Sequence, residues 1–304
     1  MNSTPSSSLN AITERALVLG GAGSAGNAWV IGVVAGLCDA GVQVTAADLI
    51  VGTSSGSTTA AQITSSNPAE LLASILAAPA QTPTARVGSG VADGRTRPVT
   101  SQLEATAAII ASAEDAADMR RRMGAWALER AAASEQSWRT RWRATVAGRL
   151  PRQQWPEQRI LITAVDAQSG VPVVFDRCSG VDLADAVAAS CSSGVAYRIG
   201  DGHYIDGGYR RNENADLAAG SGRALVLSPF GGRTRHPLDW GMQLSSQVDE
   251  LRAGGSLVES VFPDEHSRNA FGDNVMDPTT RSPAARAGYE QGRALAEPLA
   301  DFWR

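Results

Sequence analysis

Apolar and polar positions alternate between short unbroken apolar runs and stretches of helical period. Ala16-Leu17-Val18-Leu19 is closed by Gly20-Gly21-Ala22-Gly23, which reads as a buried strand ending in a tight loop. From Asn27 to Ala40, Trp29, Val33, Gly36 and Leu37 recur at helical spacing and Gly41 ends the segment; the pattern predicts a helix. Asp48-Leu49-Ile50-Val51 predicts a second strand, followed at once by Gly52-Thr53-Ser54-Ser55-Gly56, and Thr58 to Ser65 reads as helix again. Further on, Arg159 to Val165 and Val171 to Phe175 predict neighbouring strands, and Leu183 to Ala189 a helix. Tyr204-Ile205 is a short strand running into Asp206-Gly207-Gly208, and Ala224 to Leu227 is the last clear buried strand. Gly241 to Ala253 and Arg281 to Trp303 are mainly helical. Strands alternating with helices predict an α/β fold, its parallel sheet covered on both faces.

Two stretches interrupt this alternation. Residues 79–100 are rich in Pro, Gly, Thr and Ser and read as a mobile loop. Residues 101–150 carry Ala, Arg and Trp without strand signals and read as a helical insertion. Within it Trp138, Trp142, Val146 and Leu150 recur every four residues, with Arg139, Arg141, Arg143 and Arg149 on flanking and opposite positions. Met119, Met123 and Trp126 make a shorter stripe beside Arg120, Arg121 and Arg122. Such stripes have two uses: an interfacial helix lying on a bilayer, or a core-facing helix with a solvated Arg face. The first use predicts a cap over the site and peripheral membrane contact.

Composition narrows the function classes. Hydrophobic residues make up 43% of 304 residues, enough for a sizeable core without staples. The polar, Ser-rich residues 1–14 read as a disordered tail, leaving 15–304 as one domain that includes the insertion 101–150. A net charge of -4 argues against a nucleic-acid binder. Every basic residue is Arg, so lysine chemistry is excluded. Cys38, Cys178 and Cys191 are too scattered for a disulfide framework or zinc site and are expected to pack as small hydrophobes. No run of about 18 apolar residues spans a membrane, and the N-terminus lacks the blocks of a signal peptide. The cytoplasm is the default location.

Three motifs carry candidate chemistry. Gly52-Thr53-Ser54-Ser55-Gly56 fits G-x-S-x-G, in which a Ser sits on a sharp strand-to-helix turn and Gly52 and Gly56 must be small. Its bland counterpart is a tight turn with no chemistry. Gly21-Ala22-Gly23-Ser24-Ala25-Gly26 fits a dinucleotide fingerprint, an oxyanion hole, or a close helix–strand contact. A ribose-binding carboxylate is expected at the end of the next strand; Gly52-Thr53-Ser54 stands there instead, which favours the oxyanion reading. Asp206-Gly207-Gly208 is either an acid brought close to another turn or an ordinary Asp-Gly turn. Of the histidines, His236 and His266 lie in polar segments that read as exposed loops, and His203 reads as a rim residue.

Together the motifs resemble those of patatin-like phospholipases. The resemblance rests on LVLGGAGSAG followed by a helix with Gly32-Val33, then GTSSG, AASCSSG near Ala189, and YIDGGYRRN around Asp206. It implies a three-layer α/β/α sandwich with a mostly parallel sheet, and hydrolysis of lipid acyl esters by a Ser–Asp dyad. By motif position, Ser54 is the nucleophile and Asp206 the base on an acid turn with Gly207 and Gly208. Gly21, Ala22 and Gly23 offer oxyanion N–H groups, and no cofactor or metal is needed. Three positions depart from the family's usual pattern. Ala25 stands where Arg or Lys is usual, Gly194-Val195 where proline often follows the AASCSS segment, and Asn212-Glu213-Asn214 where Asn-x-Pro is usual. Two competing readings are an α/β-hydrolase-type triad using His236 or His266, and a non-catalytic acyl- or partner-binding protein.

Overall fold

The computed structural model describes residues 14–79, 99–134 and 136–304. Most of the expected tail therefore lies outside the described residues; Glu14 is already held, its N–H donating to Asp48 Oδ2 at 3.1 Å. The opening motifs form β1 (Arg15–Leu19), α1 (Gly23–Asp39), β2 (Leu49–Gly52) and α2 (Ser55–Ile63). Next comes α3 (Pro68–Ala77), capped by Asn67 with Pro68 in its first turn, a start signal the apolar pattern alone did not flag. The expected loop at 79–100 falls mostly outside the described residues, and Val99 already opens α4 (Val99–Ser112). The insertion continues with α5 (Ala116–Ala132) and α6 (Gln136–Ala147). Then follow β3 (Arg159–Asp166), β4 (Pro172–Phe175), α7 (Leu183–Ser190), β5 (Tyr197–Ile199), β6 (Gly202–Asp206) and β7 (Arg223–Leu227). The chain ends with α8 (Leu244–Ala253), β8 (Leu257–Val261), α9 (Glu265–Phe271) and α10 (Arg281–Trp303). The last clear strand is thus β8 rather than β7. Its exposed Glu259 and half-buried Ser260 break the apolar run that marks the inner strands.

Strands β3, β2, β1, β7 and β8 form a parallel sheet in that order, and β4, β5 and β6 add antiparallel pairings at the β3 end. Alternate side chains sort to the two faces. Leu17, Leu19, Ile50 and Ile162 join the core built with α1 and α10. Ala16, Val18, Val51 and Leu161 join the core built with α8. The fold is therefore the expected three-layer α/β/α sandwich.

Helices α1 and α10 meet backbone to backbone. A Cβ on Gly32 or Gly36 would collide with main chain at Ala285 or Tyr289, and one on Gly288 or Gly292 with the carbonyls of Trp29 or Val33. Two glycine pairs at i, i+4 thus interlock reciprocally, allowing a closer approach than side chains permit.

The stripes of the insertion pack on the protein through their methionines and aliphatic positions, while Trp126, Trp138 and Trp142 are half-buried. Met119 and Met123 are fully buried against Val165 and Ile205. Trp138 packs edge-on to Tyr197 at 6.4 Å between centroids, Trp142 Nε1 donates to the Ala188 carbonyl at 3.1 Å, and Val146 and Leu150 are buried. Arg143 forms a salt bridge with Asp185 at 3.0 Å, fixing α6 to α7. Among the described residues no helix is long and apolar enough to cross a membrane.

Candidate active site

The sheet brings two strand ends together. At Ile162, β3 pairs with Gly52 of β2 and Phe175 of β4, so these lie on opposite edges. At Ala164 it pairs with Val173 of β4 and Asp206 of β6. Strands β2 and β6 therefore share one edge of β3 and run head-on, their C-terminal ends one step apart. That juxtaposition carries Ser54 and Asp206 to the same point.

Ser54 sits just beyond β2 with φ 52° and ψ -122°, a conformation L-residues avoid at a cost of about 1–3 kcal/mol. The turn is held by close packing. A Cβ on Gly52 would lie 2.7 Å from Ser57 Cα, and one on Gly56 would collide with the Leu19 carbonyl. Ser54 Oγ donates to Asp206 Oδ2 at 2.8 Å. The other carboxylate oxygen, Oδ1, accepts the Gly208 N–H at 2.8 Å. Gly207 lies flush on Thr163, where a Cβ would collide. Asp206 is only 8% exposed. Burial pushes its carboxyl up to about 6, against the smaller opposing effect of the Gly208 and Ser54 hydrogen bonds.

The segment after α7 ties both halves. Ser190 Oγ accepts the Ser54 N–H at 2.9 Å, and the Ser192 carbonyl accepts the Asp206 N–H at 3.0 Å. Nothing in the sequence points to this role for Ser190, because a lone Ser at a helix end carries no signal of one.

The glycine loop packs on Ser54: a Cβ on Gly21 would lie 2.9 Å from Ser54 Cβ. Its donors are unevenly committed. The Gly21 N–H donates to the Asn212 carbonyl at 3.3 Å, and the Ala22 N–H to Ser55 Oγ at 2.8 Å. Of the three expected oxyanion donors, only the Gly23 N–H lacks an acceptor among the described residues. The Ser55 N–H, at the start of α2, lacks one too.

The remaining expected residues lie elsewhere. His236 is partly buried rather than exposed; it bonds Thr234 Oγ1 at 2.7 Å and stacks on Trp240. Burial, with Arg235 and Arg120 nearby, pushes its imidazole down to about 4. His266 is exposed, 3.6 Å from Glu290. His203 lies on β6 opposite Arg198, its Nδ1 buried and without a hydrogen-bond partner among the described residues. None bonds Ser54 or Asp206. Cys178 is exposed rather than packed, whereas Cys191 lies against Ser57 and Thr58 and burial pushes its thiol up to about 11. Among the described residues no group of three or more His, Cys, Asp or Glu side chains could hold a metal ion.

The patatin-like phospholipase family model matches residues 17–219, well over half of the chain. The chain belongs to the patatin-like phospholipase family. Lipid acyl hydrolysis is that family's general activity. Among solved structures, VipD from Legionella pneumophila is 14% identical, with a TM-score of 0.45 over 94% of this chain and 67% of that one. No curated protein matches the chain.

Two departures from the patatin-like pattern have a structural reason. Asn214 has φ 55°, which a proline ring forbids. Its side chain bonds Thr53 Oγ1 at 2.9 Å and lies 3.2 Å from the Gly207 carbonyl, joining the serine turn to the acid turn. Beside Ala25, the charge absent from the loop is supplied from α10: Arg281 Nη1 reaches the Ser24 carbonyl at 3.2 Å and Asn27 Oδ1 at 3.0 Å.

Proposed function

We propose that the protein hydrolyses carboxylic esters of lipids through a Ser54–Asp206 dyad. The observation that carries this reading is the 2.8 Å hydrogen bond from Ser54 Oγ to a buried carboxylate. A carboxylate titrating near 4 is a weak base for a hydroxyl; one raised to about 6 and held in a desolvated pocket is better matched to the task. Ser54 Oγ attacks the acyl carbon while its proton passes to Asp206 Oδ2. The carbonyl oxygen becomes an oxyanion, facing the N–H groups of Gly23 and Ser55 at the N-termini of α1 and α2. This hole replaces the expected set of Gly21, Ala22 and Gly23, because two of those donors are already bonded. As the tetrahedral intermediate collapses, Asp206 returns the proton to the leaving alcohol, leaving an acyl-Ser54. Water then attacks the acyl carbon and gives its proton to Asp206. As the second tetrahedral intermediate collapses, the bond from Ser54 Oγ to the acyl carbon breaks, Asp206 returns the proton to Ser54 Oγ and the fatty acid leaves. No cofactor enters these steps, and the substrate is the implied partner.

The test is a fluorophosphonate probe with turnover of a soluble p-nitrophenyl ester. Labelling should map to Ser54 and vanish in Ser54→Ala, while His236→Ala and His266→Ala should keep wild-type turnover. Labelling of another residue, or full activity in a folded Ser54→Ala protein, would sink the dyad.

A further inference from the structure

Peptide by peptide, most of the glycine loop is pinned, while the Gly23 and Ser24 N–H groups have no acceptor among the described residues. The 20–21 peptide gives its N–H to Asn212 and the 21–22 peptide gives its N–H to Ser55. The 22–23 peptide is fixed through its other end, since the Ala22 carbonyl accepts the Gly26 N–H at 3.0 Å. A trans peptide points its C=O and N–H oppositely, so this bond also sets the direction of the Gly23 N–H. The 24–25 peptide is gripped at both ends: the Ala25 N–H donates to the Val275 carbonyl at 2.9 Å, and the Ser24 carbonyl accepts from Arg281 at 3.2 Å. Arg281 also reaches Asn27 Oδ1, and Asn27 Nδ2 donates to Thr59 Oγ1 at 2.8 Å, linking the loop to α2 behind Ser54. Arg281 and Val275 both lie beyond the residues that the family model matches.

Arg281 forms no ion pair among the described residues. Burial and the nearby positive Arg149 both push its guanidinium below its ordinary value. A half-buried cation without a carboxylate partner among the described residues costs stability that a neutral side chain would not.

We propose that Arg281 is a positioning residue: by holding the Ser24 carbonyl and Asn27, it keeps the first turn of α1 oriented so that the Gly23 N–H stays open to the acyl oxygen. The inference rests on the Ser54 hydrolase reading and extends it to a residue outside the family segment. Arg281→Gln and Arg281→Lys separate positioning from simple stability. On a soluble ester, Arg281→Gln should lower kcat by about 10- to 100-fold, the scale of a misplaced catalytic group. KM should stay within about twofold, because only the transition state uses the oxyanion donor. Arg281→Lys should recover part of the loss, and neither variant should melt below wild type. Wild-type kcat in Arg281→Gln overturns the inference, as does a loss that merely tracks the folded fraction measured by circular dichroism. Ser54→Ala run in parallel keeps the two failures apart. If wild type turns over, Ser54→Ala is silent and Arg281→Gln is unimpaired, the positioning role alone fails. If wild type neither turns over nor labels at Ser54, the hydrolase reading fails and takes this inference with it.

Discussion

At the scale of single residues, Asp206 sets opposite demands on activity and stability. Its carboxyl titrates near 6 in the fold and near 3.8 when free. In the proposed dyad only the deprotonated form can accept the Ser54 proton, so kcat/KM on a soluble ester should rise through about pH 6 and then level off, as a pH–rate profile will show. Stability runs the other way. Between the two values the folded chain holds a proton that the unfolded chain has released, so stability falls as pH rises through about 6, by up to about 3 kcal/mol. Asp206→Asn removes that charge while leaving an acceptor for Gly208. It should lose nearly all turnover, yet melt at or above wild type at pH 8, with the gap closing below about pH 4. A variant melting well below wild type at pH 8 would mean that the buried charge is not a net cost. Ser54 and Asp206 were readable from the sequence because glycine spacing has a direct steric meaning. Ser190, Asn214 and Arg281 were not. Their roles depend on partners 136, 161 and 257 positions away, with no local pattern to mark them.

At the scale of elements, the insertion shows how far periodicity reaches. The four-residue repeat from Trp138 to Leu150 located α6 and its apolar face, but a stripe looks the same whether a bilayer or α7 covers it. Trp138 meets Tyr197 and Trp142 the Ala188 carbonyl, so the fold itself uses one side of each half-buried ring. Replacing both with Ala should therefore cost on the order of 3 kcal/mol in chemical denaturation. Binding to anionic vesicles should drop only as far as the folded fraction does. The acid-turn loop gives a second prediction. Asn214→Pro cannot adopt φ 55° and loses the bridge between the two turns. It should destabilise by about 3 kcal/mol or more, whereas Asn214→Gly, which tolerates the backbone, should cost clearly less. Equal losses in the two variants would assign the effect to the lost hydrogen bonds alone.

At the scale of the whole molecule, the inner parallel strands were legible as apolar runs, while edge strand β8 was hidden by its exposed positions. The seam between α1 and α10 was hidden for another reason: glycine in a helix reads as a weakness until its partner is seen. Gly32→Ala or Gly288→Ala would push Cβ into the facing backbone, and each should destabilise by about 2 kcal/mol. Because the two widen one interface, the double variant should cost less than the sum, as a thermal-melt cycle can measure. The same seam imposes an order on biosynthesis. Strand β1 and helix α1 leave the ribosome before α10, the helix that covers the glycine face of α1 and brings Arg281. A nascent chain arrested ahead of α10 would carry the serine turn, the acid turn and a glycine loop still without its clamp. If Arg281 clamps the loop as proposed, such an arrested chain should label with a fluorophosphonate more slowly than the released chain, because its serine turn would precede the residue that orients its oxyanion donor.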